Sequence, residues 1–287
     1  MSDIKCSEKR KFTSFEFGIR EKTILSLSIF VVFFIVIIIA GSVINPEKFS
    51  IDLINKNQSP SLTHIFGTDW IGRDMFFRTL KGLSMSMKIG VLSSIISGII
   101  AVVLGVIGPI CGKRVDSVIT WFIDLVLSVP HTLVVILISI AMGGGLKGIV
   151  VGVAATHWTS LTRVIRAEVM QIMESDYTKI SKNFGKSNWY IAKEHILPHV
   201  IPQIIVNAVL IFPHAILHEA SVTFLGFGLP PHEPAIGVIL SESMKYLTSG
   251  YWWLAFFPGL SLILVSMMVD KIGKNIEQLI NPKTAYK

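Results

Sequence analysis

From residue 23 to residue 44 the chain carries no charged side chain. As a helix this run, ILSLSIFVVFFIVIIIAGSVI from Ile24 on, spans about 30 Å, the thickness of the hydrocarbon core of a bilayer. Later windows of about 20 residues are nearly as free of charge, so lipid is the solvent for most of the chain. A spanning segment in lipid must satisfy its own backbone, which predicts helices rather than open strands. Composition agrees: 51% of the residues are hydrophobic and 16% charged, against about 25% charged in a soluble domain. The net charge of +7 is then a matter of membrane orientation and no sign of nucleic-acid binding. Cys6 and Cys111 are too few and too far apart for a disulfide framework or a metal knuckle.

The predicted architecture is all-α and integral to the membrane, with six transmembrane helices. Residues 1–22 form a basic tail without an obvious cleavage site, followed by a first span at 23–44 that stays as an anchor. Residues 45–85 form a polar segment ending in GTDWIGRD and its continuation. Residues 86–270 hold five further helices: spans at 88–110, 117–142, 146–166, 201–225 and 252–269. Within this core lie a polar loop at 174–202 and a Gly/Pro-rich segment, FLGFGLPPHEPAIGVIL. Residues 271–287 form a second basic tail. The third span contains Asp124 and Pro130; an acid at that depth faces protein or water, and pairing with the nearby Lys113 and Arg114 stands beside a transport role. Placing both termini inside puts about 18 of the 26 Lys and Arg residues on the cytoplasmic side, as the positive-inside rule asks. The loop 174–202 is then cytoplasmic and the segment 45–85 extracytoplasmic.

That loop, ESDYTKISKNFGKSNWYIAKEHILPHVIP, reads as two short helices hinged at Gly185, with Tyr177 and Phe184 as apolar teeth. Leu197-Pro198 ends the second helix and starts the next span, because proline fits best at a helix start. Tyr177, Gly185 and the run His195-Ile196-Leu197-Pro198 resemble the tyrosine, glycine and I-L-P of the EAA loop, the cytoplasmic coupling loop of ABC importer permeases. Gly67, Thr68, Asp69, Gly72, Arg73 and Asp74 resemble the G-T-D-x-x-G-R-D stretch typical of peptide and nickel permeases; read for themselves they form a turn whose acids and Arg73 can pair. ASVTFLGFGLPP and WWLAFFPGLSL complete the likeness, which runs from about residue 64 to the tail.

The resemblance implies a permease subunit of the dipeptide/oligopeptide/nickel branch, of the C type, with the type I importer fold and a five-helix core. It implies a prokaryotic cell membrane, a second permease, two ATP-binding subunits and an extracytoplasmic binding protein. The sequence has no GxxxxGK[ST] motif, so ATP and Mg belong to the partner subunits and the chain is expected to be no enzyme and to bind no cofactor. Tyr177, Lys179, Ser181, Phe184, Gly185, Leu197 and Pro198 are then the ATPase-coupling residues. One departure stands out: the family's Glu-Ala-Ala falls on Lys179, Ile180 and Ser181, which reverses the charge at the first position.

The histidines bear on the substrate. His214 and His218 share a helical face in the fifth span and precede Glu219, while His157 stands beside Trp158 in the fourth. Imidazole is the commonest metal ligand, so His157, His214 and His218 could offer transient contacts to nickel or a related ion; hydrogen bonding between helices is the other reading. His131 is a weaker candidate. The His-Trp pair and the H-x-x-x-H resemble nickel-type members, which favours a metal or metal chelate over a di- or oligopeptide. An intramembrane metalloprotease would need an acid inside the pair, as in H-E-x-x-H, and here the order is H-x-x-x-H-E. A secondary transporter would need no such coupling loop, and no inverted repeat is visible.

Overall fold

The computed structural model describes residues 19–280; the outer parts of the two basic tails, 1–18 and 281–287, lie outside them. Among the described residues ten α-helices and no extended strand occur: α1 (Ile19–Val43), α2 (Met75–Cys111), α3 (Lys113–Leu127), α4 (His131–Ala141), α5 (Gly145–Met173), α6 (Asp176–Asn183), α7 (Asn188–Ile191), α8 (Leu197–Phe224), α9 (Ile236–Leu247) and α10 (Trp253–Ile280). Four stretches are long and apolar enough to cross a membrane: Ile24–Val43, Met75–Cys111, Asn188–Phe224 and Trp253–Gln278. The pair α3 and α4 passes the same test together. The helix α5, expected as a span, is more polar and is not among these stretches; its Thr156, Thr159 and Thr162 are buried among neighbouring helices. Each of these hydroxyls donates back to a carbonyl of its own helix.

The long helix α2 is the spine. It packs against α1, α5 and α8 and touches α3, α9 and α10. Three apolar clusters follow from this. One joins α1, α2, α8, α9 and α10 around Met75, Met87, Ile216, Ile239 and Leu254. A second joins α2 and α5 to α7 and the start of α8 around Ile165, Ile191 and Ile196. A third joins α2, α4, α5 and α8 around Ile89, Val135, Val153 and Val222. By contrast α1 leaves Ile29, Val32, Val36 and Ile39 more than half exposed or close to it, as a peripheral helix facing lipid should.

Three expectations need correction. The second span begins not near 88 but at Met75, because the Asp74 carboxylate accepts from the N–H groups of Phe76 and Phe77 and caps the helix. The third span is not one helix over 117–142; α3 and α4 meet at 95° around Ser128–Pro130. Pro130 has no N–H to continue the helix and biases the residue before it away from the α region. The junction at Leu197-Pro198 is no stop: a π-helical turn, Ala192–Ile196, carries α7 into α8, and Asn188–Phe224 is one continuous span. Pro198 follows directly on that π turn, at the second position of α8, and as a proline gives no N–H to the turn before it. The Gly/Pro-rich segment after α8 contains the start of α9, whose Ile236, Val238 and Ile239 are buried.

Asp124 pairs neither with Lys113 nor with Arg114. Arg163 donates to it at 2.5 Å, and Arg166 donates to both carboxylate oxygens of Asp116 at 2.5 and 2.6 Å. The two acids lie about two turns apart on α3 and the two arginines less than one turn apart on α5. These ion pairs tie α3 to the second half of α5.

The antiparallel packing of α4 on α5 has a legible register. A Cβ at Gly148 would stand 2.7 Å from the Ser139 carbonyl oxygen, and one at Gly152 would stand 2.9 Å from that of Val135. These glycines form a GxxxG pair that lets the backbones touch. One turn further along both helices, the same register brings His131 against His157. Gly152→Leu should force α4 off α5 at about 1–3 kcal/mol, the usual cost of overpacking. A thermal melt of the detergent-solubilised protein should show it, and an unchanged midpoint would mean that α4 is not held there.

Candidate functional site

Three constellations stand out, one at each end of the bundle and one between.

The first is built on residues 67–74. Gly72 has φ of +81°, and a Cβ there would lie 1.7 Å from the Asp52 carbonyl oxygen, so only glycine fits. Asp69 is fully buried. Its Oδ1 accepts from the N–H of Ile71 and of Arg73, and its Oδ2 from Arg73 Nε at 2.6 Å and Arg78 Nη1 at 3.2 Å. Both arginines also reach Glu242 on α9. Thr68 Oγ1 donates to the Asn55 carbonyl, and the Thr68 carbonyl accepts from Trp253 Nε1 on α10. Asp74 takes a bond from His64 Nδ1 at 2.8 Å besides capping α2. Trp70 stacks on Tyr246 with ring centroids 4.5 Å apart, under the guanidinium groups of Arg73 and Arg78. The motif is thus a clasp that fixes the start of α2 to α9 and α10. Of the two acids expected to pair with Arg73, Asp69 does and Asp74 does not; Arg78 and Glu242, which complete the clasp, were missed because they lie outside the short motif.

The second constellation is the segment 174–202. On α6 the side chains of Tyr177, Ile180 and Phe184 fall at i, i+3 and i+7 on one face and are all exposed, Phe184 to 80%. Trp189 and Tyr190 extend the patch onto α7. Thr178, on the opposite side of α6 from Phe184's neighbours, is buried toward the bundle. Gly185 has φ of +75° and turns the chain between α6 and α7. Ser181 lies 3.3 Å from His195 Nε2, whose ring sits between Tyr177 and Tyr190. The Asn188 side chain donates to the Ile110 carbonyl at the end of α2. Lys179, at the charge-reversed position, pairs with Glu174 of the same segment. Leu197 and Pro198 lie at the base of α8, exposed. Ile180 and Trp189 were not among the expected residues, although the i, i+3, i+7 spacing of Tyr177, Ile180 and Phe184 was there to be read.

The third lies where α4, α5 and α8 meet. His131, His157 and His218 converge, with ring centroids 4.6 Å (131–157), 4.2 Å (131–218) and 5.2 Å (157–218) apart. One nitrogen from each lies within 4.8 Å of the other two. His157 Nδ1–H donates to the Val153 carbonyl at 3.0 Å, which fixes the tautomer and leaves the lone pair on Nε2. The expected set was His157, His214 and His218. His214 is instead exposed one turn away on α8, and His131 takes its place. Glu219 points elsewhere: it is fully buried and accepts from Thr223 Oγ1 at 3.0 Å.

A family model described as a binding-protein-dependent transport system inner membrane component matches residues 102–282. The chain is 33% identical over 252 residues to the dipeptide transport system permease protein DppC of Bacillus subtilis (strain 168), covering 88% of this chain and 79% of that protein. It is 29% identical over 265 residues to the probable D,D-dipeptide transport system permease protein DdpC of Escherichia coli (strain K12), covering 92% and 89%. Among solved structures it resembles the MetNI methionine ABC transporter in its inward-facing conformation, with a TM-score of 0.58 at 15% identity over 72% of this chain and 98% of that chain. That likeness speaks for the fold alone, a type I importer permease fold. Taken with the helical bundle and its exposed apolar segment, these matches lead to one conclusion: the chain belongs to the inner membrane components of binding-protein-dependent transport systems and is a multi-pass permease of an ABC importer.

Proposed function

We propose that this permease works in a peptide importer, paired with a second permease, driven by two ATP-binding subunits and supplied by an extracytoplasmic binding protein. The observation that carries the coupling role is the exposed face of Tyr177, Ile180, Phe184 and Trp189. Large apolar side chains on an otherwise polar segment mark a surface that a partner covers. In this reading α6 is the coupling helix, seated in a groove of an ATP-binding subunit on the cytoplasmic side. Movement there reaches the spans through α7 and the unbroken α8. Both termini are cytoplasmic, and the clasp at 67–74 faces outward. No ATP is bound by this chain, and none of its residues acts as a catalyst.

The peptide assignment rests on the relatives quoted above, which are named for dipeptides. Nickel, expected from the histidine pattern, has no such support in those names; a metal ion or metal chelate as solute is the second reading, favoured by the convergence of His131, His157 and His218. Uptake of a labelled dipeptide and of labelled nickel should be compared in cells expressing all five subunits. Dipeptide uptake that stops when the ATP-binding subunits are inactivated is the expected result. Uptake of nickel without dipeptide would overturn the peptide assignment, and uptake of either that persists without ATP hydrolysis would overturn the coupling role.

A further inference from the structure

We propose that His131, His157 and His218 form a binding site for one borderline divalent transition-metal ion, held between α4, α5 and α8.

Three observations support the site. First, the rings are brought together by packing and not by chance rotamers. The contacts of Gly148 with Ser139 and Gly152 with Val135 set the register that ends in His131 against His157. Ala215 and Val222, which flank His218 along α8, are buried in the same cluster as Val135 and Val153. Second, the nitrogen lone pairs have no protein use. His157 Nδ1–H is bonded to a backbone carbonyl, an arrangement that orients metal-binding imidazoles and raises their basicity, and its Nε2 remains available. His131 Nδ1 is buried and has no hydrogen-bond partner, a costly condition that coordination would relieve. Third, the spacing is close to what an ion requires. Metal–nitrogen bonds of about 2.0–2.1 Å in a tetrahedral site set the nitrogens about 3.4 Å apart. From separations of at most 4.8 Å the site closes by small side-chain rotations.

The donor set selects the ligand class. Three imidazoles with no carboxylate suit zinc, nickel, cobalt or copper(II) rather than calcium or magnesium, which require oxygen ligands. Three protein ligands leave a coordination position for water or for a donor group of a solute. His214 is one turn away on α8 and outside the set. The site does not depend on the transported solute being a peptide.

The test uses the assembled transporter, purified without a polyhistidine tag and with cobalt(II) alone as the probe, in the wild type and in His131→Ala, His157→Gln, His218→Ala and His214→Ala. Visible absorption reports nitrogen coordination, and equilibrium dialysis reports stoichiometry. The wild type should bind one ion per copy of this chain with a visible band. Each substitution within the trio should weaken binding by at least about 10-fold, the smaller effect expected even for a supporting group, while His214→Ala leaves it unchanged. ATP hydrolysis measured without metal checks that each variant is assembled. Absence of cobalt binding in the wild type overturns the site, as does binding indifferent to His131→Ala and His157→Gln in assembled variants, or lost equally in His214→Ala.

Discussion

Replacing Phe184 by aspartate should abolish ATP-driven uptake while leaving the chain folded and inserted. Phe184 is 80% exposed and closes α6, so its own bundle loses little; exposed substitutions of this kind usually stay within about 0.5 kcal/mol. At an interface the same ring is an aromatic anchor, whose loss costs about 2 kcal/mol or more, roughly 30-fold in affinity. A buried carboxylate would add its own desolvation cost. The ATP-binding subunits should therefore fail to co-purify, or hydrolyse ATP without uptake. Lys182→Gln, on the other side of α6, is the control and should transport normally. Phe184→Leu should keep part of the activity, because it retains apolar area. If Phe184→Asp transports like the wild type, α6 is not the coupling helix.

The bundle was legible because lipid imposes a simple rule: a stretch that crosses must be apolar, so runs such as 23–44 identify themselves. The polar α5 was legible as a helix, by its place between two such runs, though its threonines made it the least obvious of the expected spans. What failed were the features decided by contacts between helices. Pro130 was visible in the third span, but proline alone predicts a break and not a bend of 95°. The contacts that place α3, such as Asp116–Arg166 and Asp124–Arg163, join residues 50 and 39 positions apart. Pro198 looked like a stop because the π turn before it, which keeps the helix whole, leaves no composition signal.

The histidines show the same limit. Spacing within one helix pairs His214 with His218 correctly as neighbours on α8, but it carries no information about which of them faces α5. That is set by packing of Ala215 and Val222, and it turns His218 toward His157. His131 was undervalued because its partners lie 26 and 87 residues away. The GxxxG at Gly148 and Gly152 was the available clue: a helix with small residues one turn apart has a close neighbour, and α4 is the next helix in sequence. At 67–74 the acids and Arg73 announced themselves as a paired turn, whereas Glu242 had no local signal linking it to Arg78.

That clasp yields the second large effect. Asp69→Ala should destabilise the chain by about 3–5 kcal/mol, the cost of stripping one partner from a buried ion pair. The four charges of Asp69, Glu242, Arg73 and Arg78 balance. Removing Asp69 leaves an excess positive charge on Arg78, only 3% exposed, and deprives the N–H groups of Ile71 and Arg73 of their acceptor. Arg78→Met should cost less. Asp69 keeps Arg73 and both N–H groups, Glu242 is partly exposed and keeps Arg73 as well, and methionine fills much of the vacated space. Asp69→Asn should fall between, since its Oδ1 still accepts from the backbone while the charge is lost. At about 2–4 °C per kcal/mol for a domain near this size, Asp69→Ala should lower the thermal midpoint of the detergent-solubilised protein by roughly 6–20 °C. The order of the three variants is the sharper test: if Arg78→Met melts below Asp69→Ala, the buried carboxylate is not the centre of the clasp, and Arg78 holds α9 by contacts that do not pass through Asp69.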